Sequence, residues 1–173
     1  MRRALLLLLA PLALAQVLPV GGGRYLYSDG TLQELLQSPE GYRLRYLREG
    51  RLYREDRIGR GPEGLLLLGV GLPEGYFPFA PPLFLYPARL DLGAAWGGRA
   101  LFRGQRVALS ARVEGLAGVR VKAGAFNAYR VRAAYTTEKG GTDLKELYLV
   151  PGLGVVAYRA GESWVELLRF TPP

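Results

Sequence analysis

The stretch VRVKAGAFNAYRVRAAY, residues 119–135, decides the fold: it alternates apolar with basic residues, breaks once, and alternates again. A period of two sends successive side chains to opposite faces of a strand, so the stretch reads as a hairpin with one apolar and one basic face. When Val119 faces Val131 and Val121 faces Tyr129, every apolar member lies on one face and Gly124-Ala125-Phe126 forms the loop. The other face then sets Arg120 against Arg130, Lys122 against Ala128 and Gly118 against Arg132. Like charges directly opposed destabilise a sheet slightly unless water or an anion screens them. Arg120 and Arg130 are therefore candidate anion contacts, beside the plainer reading of an exposed sheet face.

The same alternation runs outward in both directions. RALFRGQ, QRVALSARVEG, VRVKA, NAYRVRAAY, DLKELYLV, GVVAYRA and SWVELLRF read as successive strands joined by Gly-containing turns, an all-β antiparallel meander. Upstream, RYLYS (24–28) runs into Asp29-Gly30, a dipeptide suited to a two-residue turn, and then into TLQELLQS. The latter reads as a return strand, although Thr31 with Glu34 also forms a capping box that would start a short helix over 31–38. Residues 41–61 repeat arginine with Tyr42, Tyr46 and Tyr53 between, a pattern that invites single-strand nucleic-acid binding. A turn at Glu49-Gly50 instead sets Arg48 against Arg51, Leu47 against Leu52, Tyr46 against Tyr53 and Arg43 against Asp56. The segment then reads as a hairpin with a partly compensated face, and no nucleic-acid partner is expected.

GLLLLGV (64–70) reads as a buried strand. The next segment, 71–90, carries five prolines and five aromatics and cannot donate a regular ladder, so it is expected to cross between two halves of the sheet. Tyr76, Phe77, Phe79, Phe84 and Tyr86 would either wall an apolar cavity or plug the end of the core.

Residues 1–15 read as a secretory leader: Arg2 and Arg3 precede the apolar run ALLLLLAPLALA, which ends in Ala13-Leu14-Ala15. Cleavage after Ala15 would leave one β-domain, 16–173, in a secreted or periplasmic setting, and lowers the formal charge from +8 to +6 by removing two arginines. No cysteine follows the leader to take a lipid, so a lipoprotein is not expected. The remaining basic balance favours peripheral association with anionic envelope surfaces or, more plainly, a solvated face.

The chain has no His and no Cys, which excludes Ser-His-Asp and Cys-His nucleophiles, the common zinc sites and His-ligated haem. Ser28, Ser110 and Ser163 lack an imidazole or a Ser-x-x-Lys partner. Two carboxylates alone would suffice for glycosidase chemistry. Glu138, Asp143 and Glu146 cluster in sequence, but read as a charged rim, and their spacing is not that of a calcium loop. No catalytic residue, metal or cofactor is expected.

Residues 119–131, Val-Arg-Val-Lys-Ala-Gly-Ala-Phe-Asn-Ala-Tyr-Arg-Val, resemble the signature of the TapB-like family of secreted bacterial envelope proteins, a family with no assigned biochemical activity. Gly93-Ala94-Ala95-Trp96, Tyr148 to Val156 with its Pro-Gly-x-Gly hairpin, and the closing WVELLRF resemble further pieces of it in the same order, over about residues 84–170. Tyr148 stands where the family usually has Trp. The resemblance implies a curved half-barrel or open barrel around an apolar interior, akin to lipoprotein carriers, and supplies no catalytic residues. It suggests a binding module whose concave face takes a lipid, a hydrophobic segment or an envelope protein, with Phe79, Phe84, Trp96, Phe102, Tyr129 and Trp164 as candidate lining. The alternative is a structural or assembly protein of the envelope, associated with pili or a surface layer.

Overall fold

The computed structural model describes residues 17–173; the expected leader and its cleavage point lie outside the described residues. Among the described residues there are twelve strands and no helix. They are β1 Gly23–Tyr27, β2 Leu32–Gln37, β3 Gly41–Arg48, β4 Arg51–Arg60, β5 Gly64–Leu72, β6 Gly75–Pro87, β7 Ala95–Phe102, β8 Gln105–Val121, β9 Gly124–Thr137, β10 Thr142–Val150, β11 Gly154–Ala160 and β12 Ser163–Thr171. Each pairs antiparallel with its neighbours in sequence, so the meander is as expected, and residues 32–37 are strand rather than helix.

The half-barrel expectation is corrected: β1 pairs β12, Arg24 facing Thr171 and Tyr27 facing Leu167, and the barrel closes. Closure joins the first and last strands of the described residues, and a pairing that remote leaves no local pattern in either strand. The proline-rich segment is corrected too. Residues 75–87 form a full strand paired to β5 in two stretches, while β7 meets it at one bridge, Ala80 with Leu101. Pro78, Pro81, Pro82 and Pro87 lack the N–H that a strand paired on both sides needs, so the prolines thin one seam without breaking the wall.

The β8–β9 hairpin has a different register from the expected one. It turns at Lys122-Ala123, so Val121 faces Gly124, Val119 faces Phe126 and Ala117 faces Ala128. Arg120 therefore faces Ala125 and Arg130 faces Gly115; the two arginines are not opposed. A bulge between Val113 and Gly115 absorbs Glu114 and lets two expected strands run as one of 17 residues.

That bulge also exchanges the faces of β8. Val107, Ala111 and Val113 point into the barrel, whereas beyond the bulge Ala117, Val119 and Val121 share the outer face with Phe126 and Ala128. These residues are buried because the end of the hairpin hooks back over the outside of β11 and β12. The Lys122 N–H donates to Glu166 Oε2 at 3.1 Å, and the Ala123 N–H to the Leu167 carbonyl at 3.1 Å. Ala157, paired with the outward Tyr148 and Glu166, is 0% exposed, as an outer-face position covered from outside requires.

The two ends of the barrel differ. At one end Val17, Leu90, Val113, Val131 and Leu149 form a closed apolar floor, with Leu18 beside it in the main core. The other end, ringed by the turns at Asp29-Gly30, Glu49-Gly50, Arg103-Gly104 and Lys139-Gly140, is the mouth. The outer wall is charged at mid-height: Glu34, Arg45 and Glu55 face one another across β2, β3 and β4, with Arg45 2.9 Å from Glu34 and 3.9 Å from Glu55. A lipid-facing barrel carries an apolar band there, and a charge at the bilayer midplane costs about 2–4 kcal/mol. The apolar side of this wall faces inward.

The seated hook makes Ala157 a packing position. Ala157→Leu is expected to lower stability by about 1–3 kcal/mol through overpacking, while Ala125→Leu on the solvent side of the hook changes it by less than about 0.5 kcal/mol. Urea unfolding of both variants measures the contrast; equal effects would mean that the hook does not cover β11.

Candidate functional site

The site begins with a turn and a bulge. Glu49 and Gly50 both have positive φ, 50° and 74°, the geometry of a two-residue hairpin turn matched to strand twist. It sets Arg48 against Arg51 and Leu47 against Leu52, as the sequence suggests. Beyond these pairs a bulge at Tyr53 shifts the register, so Tyr46 faces Arg54, Leu44 faces Asp56 and Arg43 faces Arg57. The expected pairs Tyr46 with Tyr53 and Arg43 with Asp56 are thereby corrected, although the two tyrosine rings still lie 6.2 Å apart. One extra residue turns Arg54 and Asp56, otherwise outward, into the barrel beside Tyr46.

Inside, Asp56 is 5% exposed and fully engaged. Arg54 holds it with two forked bonds, Nε to Oδ1 at 2.7 Å and Nη2 to Oδ2 at 3.1 Å, and the Tyr46 hydroxyl donates to Oδ2 at 2.9 Å. Such bidentate geometry is what a buried carboxylate needs to offset its desolvation. Burial lowers the Arg54 pKa, but the Asp56 carboxylate together with Tyr46 and Tyr53 outweighs it and the net shift is upward. Burial, then the Asp56 charge, pushes Tyr46 well above its ordinary value and Tyr86 up to about 12. Burial also raises Tyr25 and Tyr27, whose hydroxyls donate to the carbonyls of Leu153 and Val155.

Two voids meet at this cluster. One, of about 410 Å³, is mostly apolar, bounded by Leu67, Val70, Phe79, Leu85, Phe102 and Leu109, with Ala133 and Tyr135 behind, and it reaches the mouth at Leu72, Asp143 and Lys145. The other, of about 380 Å³, opens at the mouth among Asp29, Arg48, Tyr53, Lys145 and Tyr158. Tyr46, Arg54 and Lys145 line both. Tyr46 and Tyr86 lie wholly within the molecule yet keep accessible surface, because that surface faces the voids. Charges around the lumen pair off: Arg54 with Asp56, Arg48 with Asp29 at 3.7 Å, and Lys145 with Asp143 at 3.3 Å.

The candidate aromatics divide. Phe79 and Phe102 stack inside the barrel, ring centroids 4.4 Å apart at 18°, and line the apolar void. Trp96 packs against the floor, its Nε1–H donating to the Leu85 carbonyl at 2.8 Å, and Tyr129 packs beside it in the same cluster. Phe84 pairs with Leu66 on the outer face, between the inward Leu83 and Leu85. Trp164 is 40% exposed on the outside, edge-on to Tyr148 and beneath Arg159. Of the acidic trio, Asp143 stands at the mouth, Glu146 accepts from Tyr148 on the outer wall and Glu138 is exposed in a turn, so the three do not converge. The polar cluster itself was hidden from sequence reading, since the signal that finds it is the shift at Tyr53.

No family model matches the chain, and no curated protein matches it. Among solved structures it is similar to a candidate lipoprotein from Parabacteroides distasonis, with a TM-score of 0.49 and 11% identity over 91% of this chain and 99% of that one.

Two outcomes test the cluster. Asp56→Ala, which leaves Arg54 unpaired, is expected to cost about 2–3 kcal/mol given the partial access of water, and adding Arg54→Met to recover part of it; denaturant titration of the three proteins decides. The raised tyrosines also set an alkaline limit. Between the ordinary value of 10.0 and the native value of about 12 at Tyr86, the unfolded chain releases a proton that the native state keeps, so stability falls with rising pH. Stability is full below the unfolded value and lost through that window. Tyr86→Phe is therefore expected to lose less stability than the wild type across it, as denaturant titration at successive pH values measures; equal losses would contradict the assignment.

Proposed function

We propose that this chain is a secreted or periplasmic binding protein that holds an apolar or amphipathic small molecule of lipid class in its lumen. The observation that carries the reading is the apolar void of about 410 Å³ beside Phe79 and Phe102, joined at Tyr46 and Arg54 to a polar mouth. That volume lies within the roughly 300–1,000 Å³ of small-molecule sites, and apolar walls with a few placed polar groups are their usual lining. An apolar tail would occupy the inner lobe and a polar end would face the mouth. The leader-like residues 1–15 and the resemblance to TapB-like envelope proteins support the location. The role is binding rather than turnover: the buried carboxylate is held by Arg54 and Tyr46, the opposite of a base left free for chemistry.

Leu109→Trp, which fills the inner lobe, is expected to weaken binding of the neutral fluorophore N-phenylnaphthylamine at least tenfold, while Trp164→Ala on the outer wall leaves it unchanged. Fluorescence titration measures both, and native mass spectrometry of protein purified from its own envelope identifies the natural occupant. Equal binding by the two variants would place the apolar site outside the barrel.

A further inference from the structure

Resting on the lumen reading above, we infer that the ligand is an uncharged lipid whose polar end carries carbonyl or ether oxygens, and that Tyr86 and Arg54 donate to it. The carrying observation is a pair of donors that face the voids and have no acceptor on the protein. Tyr86 is enclosed by the main core and by the floor cluster, and lines the mouth void and a smaller one of about 80 Å³ beneath it. Its hydroxyl makes no hydrogen bond with any described residue. Because Tyr86 keeps accessible surface toward the void, water meets its hydroxyl when the lumen is empty, and an oxygen acceptor on a ligand would take the place of that water. Arg54 repeats the pattern. Nε and Nη2 are committed to Asp56, Nη1 has no acceptor on the protein, and the side chain is 41% accessible although it lies within the barrel.

Charge selects among acceptors. The cations lining the two voids are Arg48, Arg54 and Lys145, and the anions are Asp29, Asp56 and Asp143. Each cation lies within salt-bridge distance of one of these anions, so no net positive charge is left for an anionic head group. A carboxylate reaching Arg54 Nη1 would also stand close to Asp56, whose charge repels it. A neutral oxygen meets the same N–H and O–H donors without that repulsion. Tyr86 stays protonated through the physiological range and acts there as a donor. Apolar chain, uncharged oxygen-bearing head and donor pair together describe an ester or ketone lipid, such as an acylglycerol.

The test compares two ligands of one chain length, monooleoylglycerol and oleate, by displacement of N-phenylnaphthylamine from the whole mature protein. The ester is expected to bind at least tenfold tighter than the acid at neutral pH. Tyr86→Phe is expected to weaken the ester fivefold or more while leaving the fluorophore, which lacks oxygen, bound as before. Fluorophore binding also certifies that the variant is folded. Oleate binding as tightly as the ester, or an ester affinity indifferent to Tyr86→Phe, overturns the head-group assignment and leaves the lumen reading standing. Failure of both lipids and the fluorophore to bind the wild-type protein overturns the lumen reading itself.

Discussion

A carbonyl in a barrel wall needs a donor, and this chain has two seams where the strand ladder supplies few. Along β6 and β7 the prolines leave one bridge, and the Trp96 indole donates to the Leu85 carbonyl. Along β11 and β12 the pairing ends at Ala157 with Glu166, and the carbonyls of Leu153 and Val155 are met from inside by Tyr25 and Tyr27. From outside, the hooked end of β8–β9 gives its Ala123 N–H to Leu167. Tyrosine and tryptophan suit this work because each joins a large apolar body to one polar tip. Closure of the barrel thus rests on aromatic donors as much as on strand pairing.

This division explains what could be read in advance. Period-two alternation showed the strands, and the dipeptides Asp29-Gly30 and Glu49-Gly50 showed their turns, since both signals are local. Closure was not legible, because nothing in RYLYS or WVELLRF says that they meet. Register was legible up to the first bulge and lost beyond it. Arg48 with Arg51 and Leu47 with Leu52 are as the sequence suggests, but the extra residue at Tyr53 shifts every later pair. The hairpin of residues 119–135 fails likewise, its turn two residues earlier than the Gly-Ala-Phe reading and its β8 arm bulged at Glu114.

Both bulges lie where a side chain set changes face, and both matter to the site. At Tyr53 the shift carries an arginine and an aspartate inward, creating the polar bar across the lumen. At Glu114 it carries Val119 and Val121 outward, turning a long hairpin into a clasp on the far wall. The candidate lining divides for the related reason that neighbours in sequence point to opposite faces. Phe84 lies outside next to the inward Leu83 and Leu85, and Trp164 outside next to the inward Val165. An aromatic's type says that it packs, whereas the count of residues since the last bulge says on which side.

The apolar void is itself a physical statement, because leaving it unfilled has a cost. Ala133 points inward from β9 and lines the void beside Leu109, where a larger residue would reduce the space. At about 24 cal/mol per Å³, a sealed and empty apolar cavity of this size would cost on the order of 10 kcal/mol, comparable with the whole stability of an ordinary domain. The mouth relieves that cost by admitting water, yet water beside Leu67, Phe79 and Phe102 finds few polar partners there. An apolar occupant would gain the dispersion contacts that water forgoes, and only the folded chain offers the void. Were the proposed ligand bound at a hundredfold excess over Kd, it would add about 2.7 kcal/mol to stability, a coupling that would offset the cost of leaving the space beside Leu109 and Ala133 unfilled.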